Sequence, residues 1–159
     1  LPTYTSIARP WAMEATRKNF LQWVEFAVFH IAVAVMIGVS FIIPYAPGLL
    51  TPAVVFMLVL TQIGGLVTCS LRLYRRYANR TVGAVSSPED YFALIWVDVL
   101  FVACLWVLLS GSIASQAVYF LLVALIIVYV PFSKISHYVY FFFARFFFGE
   151  YFARRGIRQ

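Results

Sequence analysis

Four long apolar runs divide this chain, and every Lys and Arg stands in alternate segments beside them. The twelve cations are Arg9, Arg17 and Lys18, then Arg72, Arg75, Arg76 and Arg80, then Lys134, Arg145, Arg154, Arg155 and Arg158. The connections at 44–52 and 110–116 carry no charge. From Phe26 to Ile43 there are eighteen uncharged residues. At about 1.5 Å per residue, a helix of that length reaches about 27 Å, close to the ~30 Å hydrocarbon layer of a bilayer. Cations confined to alternate connections form the positive-inside pattern, which predicts an even number of spans with both termini cytoplasmic. The expected fold is an all-α membrane protein: a four-span transmembrane helix bundle in one membrane domain covering 1–159. The spans fall at about 20–43, 53–71, 91–109 and 113–130. An aromatic tail at about 138–152, interrupted by Arg145, reads as a C-terminal interfacial helix, because aromatics favour the headgroup level and Arg can snorkel.

Composition agrees. The chain is 64% hydrophobic and 11% charged, whereas soluble domains carry roughly a quarter charged residues. Its net charge of +6 is no sign of nucleic-acid binding, since the cations flank spans and meet anionic lipid heads. Cys69 and Cys104 lie apart within spans and read as small buried apolar residues. The segment from Leu1 to Asn19 has no long apolar core and does not read as a signal peptide. A further span upstream of Leu1 stays open.

Local signals punctuate the runs. Pro44, Pro47 and Gly48 break the first. Gly64-Gly65 in the second allows close approach of a neighbouring helix or a flat cofactor, helix packing being the commoner use. Ser87-Pro88-Glu89-Asp90 is a strong helix start, with a capping Ser, Pro at the first helical position and acids in the first turn.

The chain has two histidines, His30 entering the first span and His137 just past the fourth. Two imidazoles reaching one leaflet from different helices are what a bis-histidine haem needs. His30 lies about 6 Å inside its apolar run and His137 about 10 Å beyond its own, a mismatch that tilt or a bend at Pro131 would absorb. Ala34 and Gly38 follow His30 at steps of four on one helix face and leave room for a porphyrin. Ser133 and Ser136 could bond the second ring nitrogen of His137 or a haem propionate. Arg72, Arg75, Arg76 and Arg145 could neutralise propionates, although such loop cations are mostly topology signals. The competing reading is that both histidines are polar side chains at the headgroups.

The residues around the histidines carry a family resemblance. Trp23-Val24-Glu25-Phe26-Ala27-Val28-Phe29-His30 with its Gly-containing run resembles the first haem helix of the respiratory nitrate reductase gamma subunit. The segment from Arg72 to Tyr91 resembles that family's basic cytoplasmic loop and the following helix start. Pro131-Phe132-Ser133-Lys134-Ile135-Ser136-His137 resembles its Pro-Phe-(Ser/Thr)-(Lys/Arg)-x-x-His ending, which is the most specific of the motifs. Relatives include the cytochrome b subunits of sulfite-reductase-linked and heterodisulfide-reductase-type complexes. The resemblance spans about Phe20 to Arg155. The family commonly has five spans, so its first would be absent here or lie before Leu1. It implies a haem b membrane anchor in a prokaryotic cytoplasmic membrane. Such a subunit passes electrons between the quinone pool and a peripheral iron–sulfur subunit on the cytoplasmic side. Two-haem members have further histidines at positions that here are Ser40 and Tyr119, so one haem is expected, held by His30 and His137. The lysine near that family's outer quinol pocket has no counterpart in 44–52, which puts a quinol site of the same design in doubt.

Asp98 is the one ionisable residue well inside a span, and intramembrane acids are costly enough to mark function by default. It could orient a histidine, pair with a basic residue, move a proton in quinone chemistry, or bond a hydroxyl of a neighbouring subunit. Glu25, near the interface, is expected to be solvated or paired with Arg17 or Lys18. Beside the redox anchor stands a haem-free structural or assembly subunit. A transporter would need broken-helix repeats or a polar pathway, and Asp98 with Gln62 is little to build one on.

Overall fold

A computed structural model describes residues 18–136 together with 140, 143, 144, 146, 147 and 151. Four long helices carry it: α1 (Phe20–Tyr45), α2 (Pro52–Ala78), α3 (Pro88–Ser110) and α4 (Ile113–Tyr129). A 3-10 turn, Val130–Phe132, prolongs α4, and a second covers Lys134–Ser136. All four helices are long and apolar enough to cross a membrane, and the described residues contain no strand. Over the described residues the chain is a helical, multi-pass membrane protein with four spans, whose apolar flanks suit lipid. The expected C-terminal interfacial helix falls largely on residues outside those described.

Helix ends follow local chemistry. Thr51 accepts from the Val54 N–H ahead of Pro52, and Ser112 accepts from the Ser115 N–H. At the start of α3 the Asp90 carboxylate accepts from the Ser87 N–H at 2.7 Å, with Pro88 in the first turn. Gly111 closes α3 in the left-handed region, φ 58°, which costs glycine nothing. Two ends differ from expectation. Pro44 lies inside α1 rather than after it, since proline fits helical φ and removes only one late bond. α2 runs on past Leu71 to Ala78 and carries Arg72, Arg75 and Arg76 as helix. Leu, Arg and Tyr continue a helix readily, and cations suit its C-terminal dipole.

The helices pack as a row folded on itself. α1 lies along α2, α2 along α3 and α3 along α4, whereas α1 and α4 form no extended interface. Ala32, Met36 and Val39 of α1 meet Cys69 of α2 and Leu100, Phe101 and Cys104 of α3 in the core. Large apolar side chains such as Ile31, Phe41, Phe56, Leu109 and Ile127 stand outside it, as lipid-facing residues should. Gly65 marks a close crossing of α2 against α1 and α3. A Cβ built there would lie 2.5 Å from the Ala32 Cβ and 2.7 Å from the Phe101 ring.

Towards the uncharged end, Tyr119 of α4 is fully buried and its hydroxyl donates to the Met36 carbonyl of α1 at 2.7 Å. This bond links the two helices that otherwise barely meet. Interhelical bonds of this kind contribute about 1 kcal/mol. Tyr119→Phe is therefore expected to lower the melting temperature of the detergent-solubilised protein by a few degrees. Unchanged or higher stability would show that the hydroxyl does not tie α4 to α1.

Candidate functional site

The basic end of the bundle gathers charge and aromatic rings on the first turns of α1. Glu25 takes Arg75 of α2 in a bidentate pair at 2.6 and 2.8 Å, a long-range partner beside the nearby cations expected for it, of which Arg17 lies outside the described residues. The Arg72 guanidinium stands 4.9 Å from the Phe29 ring centre and 5.9 Å from that of Phe26. Its Nε is shielded from solvent and has no hydrogen-bond partner. Aromatic faces attract such a cation without supplying a lone pair. Arg76 turns the other way, bonding the Ser86 hydroxyl at 2.5 Å and lying 3.8 Å from the Asp90 carboxylate.

His30 is half-buried beside this cluster. Its ring lies 3.9 Å from that of Phe26 and meets Phe29 edge-on at 5.3 Å. Nδ1 is 2.7 Å from the Phe26 carbonyl oxygen, one helical turn back. A carbonyl only accepts, so Nδ1 carries the proton, and the neutral ring then presents Nε2 as its lone-pair nitrogen. That is the tautomer in which a histidine binds metal through Nε2 with its orientation held by a backbone acceptor.

Ala34 and Gly38 are placed less favourably than their spacing promised. Residues two apart on a helix point about 200° apart. Ala32 and Met36 face the core, so Ala34 between them faces outward, and it is exposed. A Cβ on Gly38 would meet nothing within 4 Å. The flank of α1 above His30 is thus unobstructed, but it lies on the outside of the bundle. Ser133 is buried and donates to the Val130 carbonyl at 3.0 Å, and Ser136 donates to the Ser133 carbonyl at 2.6 Å. The Lys134–Ser136 turn packs on α3, so the chain folds back to the bundle after Pro131. His137 and Arg145 lie outside the described residues.

Asp98 belongs to a different place. Its Oδ2 accepts from the Ser70 hydroxyl of α2 at 3.3 Å, in a groove between α2 and α3. Gln62 was legible as a polar residue in a span but carried no structural assignment. It is fully buried and donates to the Ala32 carbonyl of α1 at 3.3 Å, acting as glue at the Gly65 crossing.

Among the described residues no group of three or more His, Cys, Asp or Glu converges. A bis-imidazole haem needs only one ligand from each of two segments. Comparison with protein-family models, with curated proteins and with solved structures found no match to this chain.

Proposed function

We propose that this chain is the haem b membrane anchor of a respiratory oxidoreductase complex, with one haem held by His30 and His137. The observation that carries the reading is the 2.7 Å bond from His30 Nδ1 to the Phe26 carbonyl. It orients the ring with a proton on Nδ1, the tautomer in which Nε2 would be the nitrogen to ligate iron. The resemblance of 131–137 to the family's haem-ligand ending supplies the second imidazole. The donor chemistry fits, and the small residues at 34 and 38 leave the flank beyond His30 clear for a flat ring.

A haem bound there would supply one-electron transfer, and the residues that hold it, nearby charge and burial would tune its potential. The protein's own residues do the positioning. Phe26 and Phe29 hold the imidazole and exclude water from one side of it. Arg72, drawn over the same rings, offers a guanidinium with a solvent-shielded Nε to a propionate. Arg76 is occupied by Ser86 and Asp90 and shapes the basic loop instead. Ser40, whose hydroxyl returns to the Ile37 carbonyl, and Tyr119, locked on Met36, have structural work at the two positions of the absent second pair. These assignments support one haem rather than two.

Charge segregation supports an orientation with the basic end inside, and the family resemblance implies a prokaryotic cytoplasmic membrane. Electrons would then pass between quinone in the lipid and a peripheral iron–sulfur subunit docked on the basic loop and the tail, where Arg154, Arg155 and Arg158 can meet acidic groups. The test is the haem content and visible spectrum of the complex purified from its native membrane. One haem per chain, with low-spin bands on reduction, is expected. No haem would leave the structural-subunit reading, and two per chain would overturn the ligand assignment.

A further inference from the structure

We infer that the groove between α2 and α3 receives a transmembrane helix of another subunit, one that carries a lysine or arginine at mid-membrane depth. The inference is independent of the haem reading and uses the opposite side of α2. Asp98 lies ten residues past Pro88 and twelve before Ser110 on α3, about 15 and 18 Å from the two ends. It is therefore near the bilayer midplane, where an acid must be neutralised or paired. The groove holds about 320 Å³ and opens to the outside of the bundle.

Its walls have the shape of a helix seat. α2 contributes Leu66, Ser70 and Leu73, and α3 contributes Ile95, Asp98, Val99 and Val102. Both sets repeat at steps of three and four over two turns, the spacing that receives the ridge of a third helix. Ile95, Val99 and Val102 are 45%, 45% and 55% exposed, so the seat is uncovered along its length. Within it the Asp98 carboxylate has the Ser70 hydroxyl as donor to Oδ2 and the Cys69 thiol beside it, while its solvent-shielded Oδ1 has no hydrogen-bond partner.

Charge decides the occupant. The chain's twelve cations all flank the spans, so neither this chain nor a second copy brings a cation to midplane depth. Arg72 is two residues beyond Ser70, about 200° around α2, and lies over Phe26 and Phe29 of α1 instead. Ser70 and Cys69 give the carboxylate hydrogen bonds but no counter-charge, and a basic side chain on a different polypeptide would supply it, as intramembrane charges pair. Lipid alone covers the valines and requires the acid to stay protonated, whereas a cation on a neighbouring helix pairs with the carboxylate.

The test places a photoreactive benzophenone amino acid at position 102 of the full chain in its native membrane. The expected adduct is a second polypeptide, joined within an apolar span that carries Lys or Arg. Its yield should fall roughly tenfold in Asp98→Asn and persist in Asp98→Glu. Exchanging the charges, with Asp98→Lys here and an acid for the partner's cation, should restore it. Adducts with lipid alone, adducts with another copy of this chain, or a yield unchanged by Asp98→Asn would overturn the proposal. Should Asp98→Asn fail to accumulate, the exchange decides: recovery with the swapped partner supports the pairing, and no recovery refutes it.

Discussion

On the proposed haem reading, His30→Ala is expected to leave the chain in the membrane and to abolish haem binding, taking the expected content from one per chain to none. The asymmetry follows from where His30 stands. Its ring is half-buried, packs on Phe26 and Phe29 of its own helix, and is not part of the core formed by Ala32, Met36 and Val39. Loss of those contacts costs the fold about 1 kcal/mol, which a four-span bundle tolerates. If His30 is one of the two residues that hold the haem, its loss would remove half of the protein's bonds to the iron. His137→Ala should do the same. A control keeps the result specific: His30→Gly with added imidazole should recover the low-spin spectrum, because the free ring can occupy the space and bind iron. Wild-type bands persisting in His30→Ala would show that this residue is no ligand. A wild-type spectrum without haem bands would favour the structural-subunit reading.

The spans were legible because apolar length and charge placement are one-dimensional quantities. The Ser87–Asp90 start and the Gly111 end of α3 were also local, since each depends on neighbours within a turn. What escaped was everything set by which helix lies beside which. α2 appeared to stop at Leu71 because the apolar run stops there, but lipid exposure ends sooner than helical hydrogen bonding does. Glu25 could be matched only to cations near it in the chain, whereas helix packing brings it Arg75 from fifty residues away. The His30, Ala34 and Gly38 stack was correct as spacing. Its direction was not legible, because α1 is apolar all round and its periodicity does not mark the inward face. Tyr119 could be read only as a missing imidazole. Its burial against Met36 shows that the position has a structural task of its own.

Gly65→Ala is expected to destabilise the bundle by about 1–3 kcal/mol as an overpacked crossing, while Gly64→Ala should be near neutral. Alanine is favoured over glycine within a helix by about 1 kcal/mol at both positions, so propensity alone predicts stabilisation twice. Surroundings separate them. At Gly64 the new methyl would meet Val28 Cγ1 at 3.2 Å, and a valine side chain can give a few tenths of an ångström. At Gly65 it would lie 2.5 Å from the Ala32 Cβ and 2.7 Å from two atoms of the Phe101 ring. A Cβ moves only with its backbone, so α1 must move away from α2. That displacement also stretches the 3.3 Å bond from Gln62 to the Ala32 carbonyl, within two residues of His30. Thermal unfolding of both variants in one detergent gives the comparison. Equal stability would mean the crossing is looser than this geometry. The expected order, with Gly65→Ala well below wild type and Gly64→Ala beside it, identifies Gly65 as the contact that sets the spacing of α1, α2 and α3.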